Sequence, residues 1–209
     1  MALTTYSELK TAIASLLDRG DLTAAIPDFI ALAEDDFNRE LRVRQMLQRA
    51  QATFENQYTT IPGDYLELRD LIVITPTPVR SLEFLPMQAL DDLKVSGVSG
   101  APRYFTIVGN AVEVFPTPGS NAVIEMTYFK KIPALSDATT TNWLLTGYPG
   151  IYLYAAALHS APYLQDDERL PMWGQLAAGI RDTMKVESDR ASYGPRPTIR
   201  NMRTRAWQA

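Results

Sequence analysis

The chain is predicted to fold as an α+β protein: a helical bundle made by its N- and C-terminal helix pairs, with a β-rich insertion between helices two and three. Three observations carry this. Apolar residues recur at spacings of three and four up to about Leu41 and again from about Asn142. Between them, from Met46 to Lys131, prolines and glycines separate short β-branched or aromatic runs. Finally, the 28 residues from Ala138 to Gln165 carry no charge, as expected where a helix is buried on most sides. The expected organisation is a first half of the bundle over 1–45, the β-rich insertion over 46–136, the second half over 137–192, and an extended C-terminal arm over 193–209.

The first helix opens on a capping box, Thr5 with Glu8, places Leu9, Ile13, Leu16 and Leu17 on one face, and is expected to stop at Gly20 in the left-handed conformation. The second begins near Pro27, where a missing amide costs nothing in a first turn, and runs through Phe29, Ile30, Ala33, Phe37 and Leu41. Asp28, Glu34, Asp35 and Asp36 towards its start and Arg39 and Arg42 towards its end suit the helix dipole.

Strands are expected at Leu47–Phe54, Tyr58–Ile61, Glu67–Ile74, Arg80–Leu85, Tyr104–Val108, Ala111–Phe115 and Ala122–Phe129. Gly109-Asn110 reads as a two-residue hairpin, and Pro116-Thr117-Pro118-Gly119 as a second turn. A helix from Pro86 to Val95 interrupts the run, with Asp91, Asp92 and Lys94 on its outside. After a short turn at Trp143-Leu144-Leu145, Pro149 starts the uncharged helix and Pro162 ends it. Within it Ile151, Tyr154, Ala155 and Leu158 share one face. The last helix runs from about Pro171 to Ala191, with Trp173, Leu176, Ala177, Ile180 and Met184 as its buried stripe.

Composition narrows the function. With no cysteine, disulfides and thiolate metal sites are excluded. Met1 to Lys10 lacks a basic region followed by an apolar core, so no secretory signal is expected. The apolar part of the uncharged run, Ile151 to Leu158, is far short of the ~20 residues of a membrane span. His159 is the one histidine and is expected in the core on a backbone carbonyl; no G-x-S-x-G elbow accompanies it. The acid pairs Asp35-Asp36, Asp91-Asp92 and Asp166-Asp167 point in different directions on a helix and do not converge on an ion. Gly97-Val98-Ser99-Gly100 lacks the lysine and helix-opening hydroxyl of a phosphate loop. No catalytic residue, metal ligand or cofactor site is assigned.

The C-terminus departs from the rest. Arg190, Arg196, Arg200, Arg203 and Arg205 lie in a segment without an acidic residue, while residues 1–189 hold the other 15 basic and all 24 acidic residues, so a +5 segment is attached to a −9 body. With Gly194, Pro195 and Pro197 it has no apolar period long enough for a helix face, but arginines followed by Trp207 are the composition of a docking arm. The expected docking residues are Arg196, Arg200, Arg203, Arg205 and Trp207.

Several segments in order resemble the head-to-tail adaptor (head-completion) proteins of tailed bacteriophages. They are Tyr6-Ser7-Glu8-Leu9-Lys10; Ile26-Pro27-Asp28-Phe29-Ile30 leading to Asn38-Arg39-Glu40-Leu41-Arg42; and Ile61-Pro62-Gly63-Asp64-Tyr65-Leu66-Glu67. Further on come Gly100-Ala101-Pro102, Tyr128 to Ser136, Asn142-Trp143-Leu144, Tyr152 to Leu158, and Ala161-Pro162-Tyr163-Leu164 with Asp167-Glu168-Arg169. Gly150 stands where that family often has an acidic residue. The resemblance implies a homo-oligomeric ring, usually of twelve subunits, that sits beneath the portal protein at the head–tail junction of the virion. It also implies tail or neck proteins below the ring, genomic DNA passing through its channel without specific binding, no membrane, and a C-terminal extension that grips the portal. Two other readings remain: another neck or tail component, such as a terminator or tube protein, and a nucleic-acid-binding regulator acting through the arginine arm.

Overall fold

The computed structural model describes residues 3–193 apart from 55, 76, 96, 119–121 and 165–167. Helix α1 (Tyr6–Leu17) starts on the predicted capping box: the Glu8 amide donates to Thr5 Oγ1 at 3.3 Å, and the Glu8 carboxylate accepts from the Thr5 amide at 3.0 Å. The left-handed stop is Asp18, at φ 52°, rather than Gly20, which opens a 3-10 turn over Gly20–Ala25. Aspartate is among the few residues with a side chain that tolerate that conformation. Helix α2 (Ile26–Glu40) follows, and Leu41, though outside it, is fully buried.

Eight strands come next: β1 (Leu47–Phe54), β2 (Tyr58–Thr60), β3 (Tyr65–Thr75), β4 (Arg80–Ser81), β5 (Glu83–Phe84), β6 (Tyr104–Val108), β7 (Ala111–Phe115) and β8 (Ala122–Lys130). Helix α3 (Met87–Lys94) lies between β5 and β6, and α4 (Trp143–Gly147), α5 (Pro149–His159) and α6 (Leu170–Tyr193) complete the described chain. One sheet has the order β1-β8-β3-β4 and is antiparallel throughout; the other has the order β2-β7-β6-β5, with β5 and β6 parallel. The β6–β7 hairpin turns at Gly109-Asn110 with Gly109 at φ 59°, as its sequence predicts.

The expected architecture is therefore corrected. The protein is a mixed α/β structure with two four-stranded sheets and, among the described residues, six α-helices; it is not a helical bundle carrying a single β insertion. The middle segment has a complete core of its own, made by Phe54, Leu71, Val73, Ile124, Met126 and Tyr128 of the first sheet against Phe105, Val112 and Val114 of the second. Periodicity could not show this, because the run read as one strand, Arg80–Leu85, is divided. Arg80–Ser81 closes the first sheet against β3, while Glu83–Phe84 begins the second against β6. Leu82 between them is buried in the shared core.

The other core is helical. Leu9, Ile13, Phe29, Ile30, Phe37, Leu145, Ile151, Tyr152 and Trp173 meet in it, joined by Ile132 and Leu135 from the segment after β8. Helix α5 touches α1, α2 and α6. Its deepest side is Ile151, Tyr152, Ala156 and Ala157, while Tyr154, Ala155 and Leu158 are only half-buried. On α6, Trp173, Ala177 and Met184 are buried, but Leu176 is 41% exposed.

The α5–α6 contact is close at Gly150, where a built Cβ would stand 3.0 Å from Ile180 Cδ1. That atom is the far end of a flexible side chain, so Gly150→Ala is expected to be near neutral. Gly150→Leu, which over-packs the contact, should cost about 1–3 kcal/mol and lower the melting temperature by roughly 2–4 °C for each kcal/mol. Thermal denaturation checks this; a leucine variant that melts with the wild type would refute the close approach.

Candidate functional site

Some of the segments that carry the resemblance, among them Asn38 to Arg42, Asp64 to Glu67, Tyr128 to Ser136 and Asn142, meet where the helical core joins the sheets. Residues 131–142 return the chain from β8 to α4, and side chains of α2 and α4 take up their backbone groups. Asn38 and Glu34 are four residues apart on α2 and so share a face. The Asn38 Oδ1 atom accepts from the Ile132 amide at 2.9 Å, and Glu34 Oε1 accepts from the Leu135 amide at 2.8 Å. Asn142 donates from Nδ2 to the Pro133 carbonyl at 2.8 Å and to the Tyr152 hydroxyl at 2.7 Å, while its Oδ1 caps α4 by accepting from the Leu145 amide at 2.8 Å. Tyr152 in turn donates its hydroxyl to Glu34 at 3.0 Å.

Glu34 is buried, and burial raises its carboxyl pKa above the ordinary value, against the opposing pull of the bonds from Leu135 and Tyr152. Burial first and then the Glu34 charge raise the Tyr152 phenol as well, so it stays a donor. The sequence places Glu34 among the acids at the start of α2, as a solvated contributor to the dipole. Its spacing from Ile30, Ala33 and Phe37 puts it on the apolar stripe instead, which is the signal that could have found it.

A second cluster lies on the sheet side. The turn Pro62-Gly63-Asp64-Tyr65 closes with the Tyr65 amide on the Pro62 carbonyl at 3.1 Å, and the Asp64 carbonyl accepts from the Lys131 amide at 2.7 Å. The Asp64 side chain accepts from the Tyr128 hydroxyl at 2.9 Å; burial and this carboxylate push the Tyr128 phenol up to about 12. Arg42 donates to Glu67 at 2.6 Å and to the carbonyls of Asn38 and Leu41 at 2.9 and 2.6 Å, with its guanidinium 5.9 Å from the Phe129 ring centre. One arginine thus ties the end of α2 to β3 and β8.

Other sequence-predicted residues are placed as follows. The docking set, Arg196, Arg200, Arg203, Arg205 and Trp207, lies outside the described residues. His159 is half-buried and sits with Nε2 3.0 Å from Asp36 Oδ2 on α2, so its partner is a carboxylate and not the expected backbone carbonyl. Asp36 also meets Arg39, and Asp91 meets Lys94, while Asp166-Asp167 lie outside the described residues. Lys94 does not merely face solvent: it also pairs with Glu113, a buried acid on β7 that accepts from Gln57 at 3.0 Å. Gly97 is left-handed, at φ 60°, in a loop. Among the described residues no group of His, Asp or Glu could hold a metal ion, and no helix is long and apolar enough to cross a membrane.

The ionisable and polar side chains that come together inside this protein join one element to another; the geometry is that of a scaffold. The chain matches the family of the SU10 adaptor protein over residues 4–201 and belongs to it: it is a phage head-to-tail adaptor, a structural component of the virion. The match spans every segment that carries the resemblance and continues into the arm as far as Arg196 and Arg200. No curated protein matches the chain.

The junction makes a prediction with a definite sign. A carboxyl whose pKa is raised by folding is neutral in both states at low pH, and its contribution falls as pH rises from the unfolded value through the folded one. Glu34→Gln keeps an Oε1 acceptor for Leu135 and Tyr152 without the charge. The variant's melting temperature should equal the wild type's near pH 4 and exceed it at pH 7. Melting curves at the two pH values decide it; a variant penalised more at pH 7 than at pH 4 would show that the charged form is favoured by folding.

Proposed function

We propose that this adaptor forms a ring beneath the portal, of twelve subunits as the resemblance implies, around the channel through which the genome passes. We propose further that it docks on the portal through its C-terminal arm, with tail or neck proteins below. The observation that carries this reading is the family match running on into an arginine-rich segment, joined to a body of opposite charge. Arginine forks pair with carboxylates bidentately, and an aromatic anchor such as Trp207 fills an apolar pocket. An acidic body supports the channel role, because a wall of like charge does not hold phosphates.

Deleting residues 194–209 should leave the circular dichroism and melting of the body unchanged, abolish binding to purified portal rings, and yield heads without tails. Neutralising Arg196, Arg200, Arg203 and Arg205 should weaken portal binding by a factor that shrinks as salt is raised, whereas Trp207→Ala should weaken it by a factor nearly independent of salt. Portal rings that still bind the truncated protein with undiminished affinity would place the contact in the body.

A further inference from the structure

Two sheets have four edge strands, and in this protein three of them are short: β2 has three residues, and β4 and β5 have two each. Short edges are one of the ways in which sheets avoid pairing with other chains. The fourth, β1, has eight residues, pairs with β8 in an unbroken register, and contains neither proline nor bulge. Among the described residues its far side makes no ladder bond. Its further backbone bonds among those residues include the Leu47 amide on the Arg44 carbonyl, at the start of the strand, and the Gln48 side chain on the Arg49 carbonyl, at 3.2 Å.

The same edge borders an apolar slot of about 240 Å³ that opens between the two sheets, lined by Ala50, Ala52, Phe54, Ile61, Leu71 and Met126 among others. The slot exists because the side chains that β1 turns inward ahead of Phe54 are alanines, too small to fill the space at the rim of the second core. Its volume exceeds the ~150 Å³ at which an apolar cavity accepts a benzene ring. On the opposite, open face of the sheet, Arg49 is 74% exposed, with its nearest carboxylate, Glu125, 3.5 Å away. Arg44 and Arg69 line a neighbouring cleft on that side, and among the described residues neither has a carboxylate within ion-pair distance.

We propose that β1 is a docking edge for an extended segment of a partner protein, added as a ninth strand. The chemistry of the edge defines the segment. Its backbone must be extended to meet the free N–H and C=O groups. The side chains it turns inward, two residues apart, must be apolar to enter the slot, and those it turns outward must be acidic to face Arg49 and its neighbours. This contact is separate from portal docking by the arm and stands or falls without it.

The test uses the full chain and two synthetic octapeptides of equal composition, one alternating valine and glutamate and one with four valines followed by four glutamates. The alternating peptide should slow amide hydrogen exchange across residues 47–54 at least tenfold; the block peptide should leave it unchanged. Locating protection on β1 separates this contact from attraction of acidic peptides to the arm. Ala52→Met, which fills the slot from within, should weaken binding at least tenfold with an unchanged melting temperature. Arg49→Glu, on the surface, should weaken it as well and shift preference to an alternating valine–lysine peptide. Absence of protection on β1, equal protection by both peptides, or protection that rises with protein concentration alone would each overturn the proposal, the last by assigning the edge to a second copy of the chain.

Discussion

The buried carboxylate of Glu34 is the constraint on which the join between the two cores depends. It accepts from a backbone amide of the segment leaving the sheets and from a tyrosine at the centre of the helices. Hydrogen bonds to a charged group contribute about 1.5–3 kcal/mol, but the charge they satisfy has been taken out of water, so the net gain is small and the geometric demand is high. Removing the acceptor altogether would be worse than never having had it, because the Leu135 amide and the Tyr152 hydroxyl would be left unpaired in a dry region. Asn38 one turn later and Asn142 at the start of α4 hold the same segment from two further directions. Three side chains therefore set the path by which the chain leaves β8 and enters the helical core.

On the sheet side the same path is held by Asp64, Tyr128 and Arg42. The start of β3, the end of β8 and the end of α2 are thereby joined by hydrogen bonds from Asp64, Tyr128 and Arg42, which fix how the sheets meet the helices. Glu113 repeats the device within the second sheet, where a buried acid on β7 is answered by Lys94 at the end of α3. Burial alone would lower the lysine's pKa; Asp91 and Glu113 more than offset it, so the lysine stays charged and holds α3 against the sheet.

Local features were legible in the sequence wherever a short-range rule decides them. The spans of β1, β6 and β7 coincide with their predicted limits, and the Thr5 capping box and the Gly109 turn are where propensity puts them. The fold class was not legible, because which sheet a strand joins depends on partners far along the chain. The division of Arg80–Leu85 between two sheets leaves no trace in its composition. Leu176 shows the same limit on α6: its spacing matches the stripe, but no facing element covers that part of the helix face among the described residues.

The candidate site divides along the same line. A feature that rests on composition, such as a C-terminal segment with four arginines and no acid, needs no knowledge of packing and can be read directly. A role that rests on burial cannot. Glu34 and Glu113 look in sequence like carboxylates on solvated surfaces, because most acids are. What distinguishes them is placement: Glu34 falls on the apolar stripe of α2, while Glu113 alternates with Val112 and Val114 and so lies on the other face of its strand, where Lys94 of α3 meets it. An acid on an apolar stripe is either a defect or an acceptor with a donor already assigned, and in a folded protein the second is the rule. Which donor answers it is set by the fold: for Glu34 the donors are the Leu135 amide and the Tyr152 hydroxyl, 101 and 118 residues further along the chain.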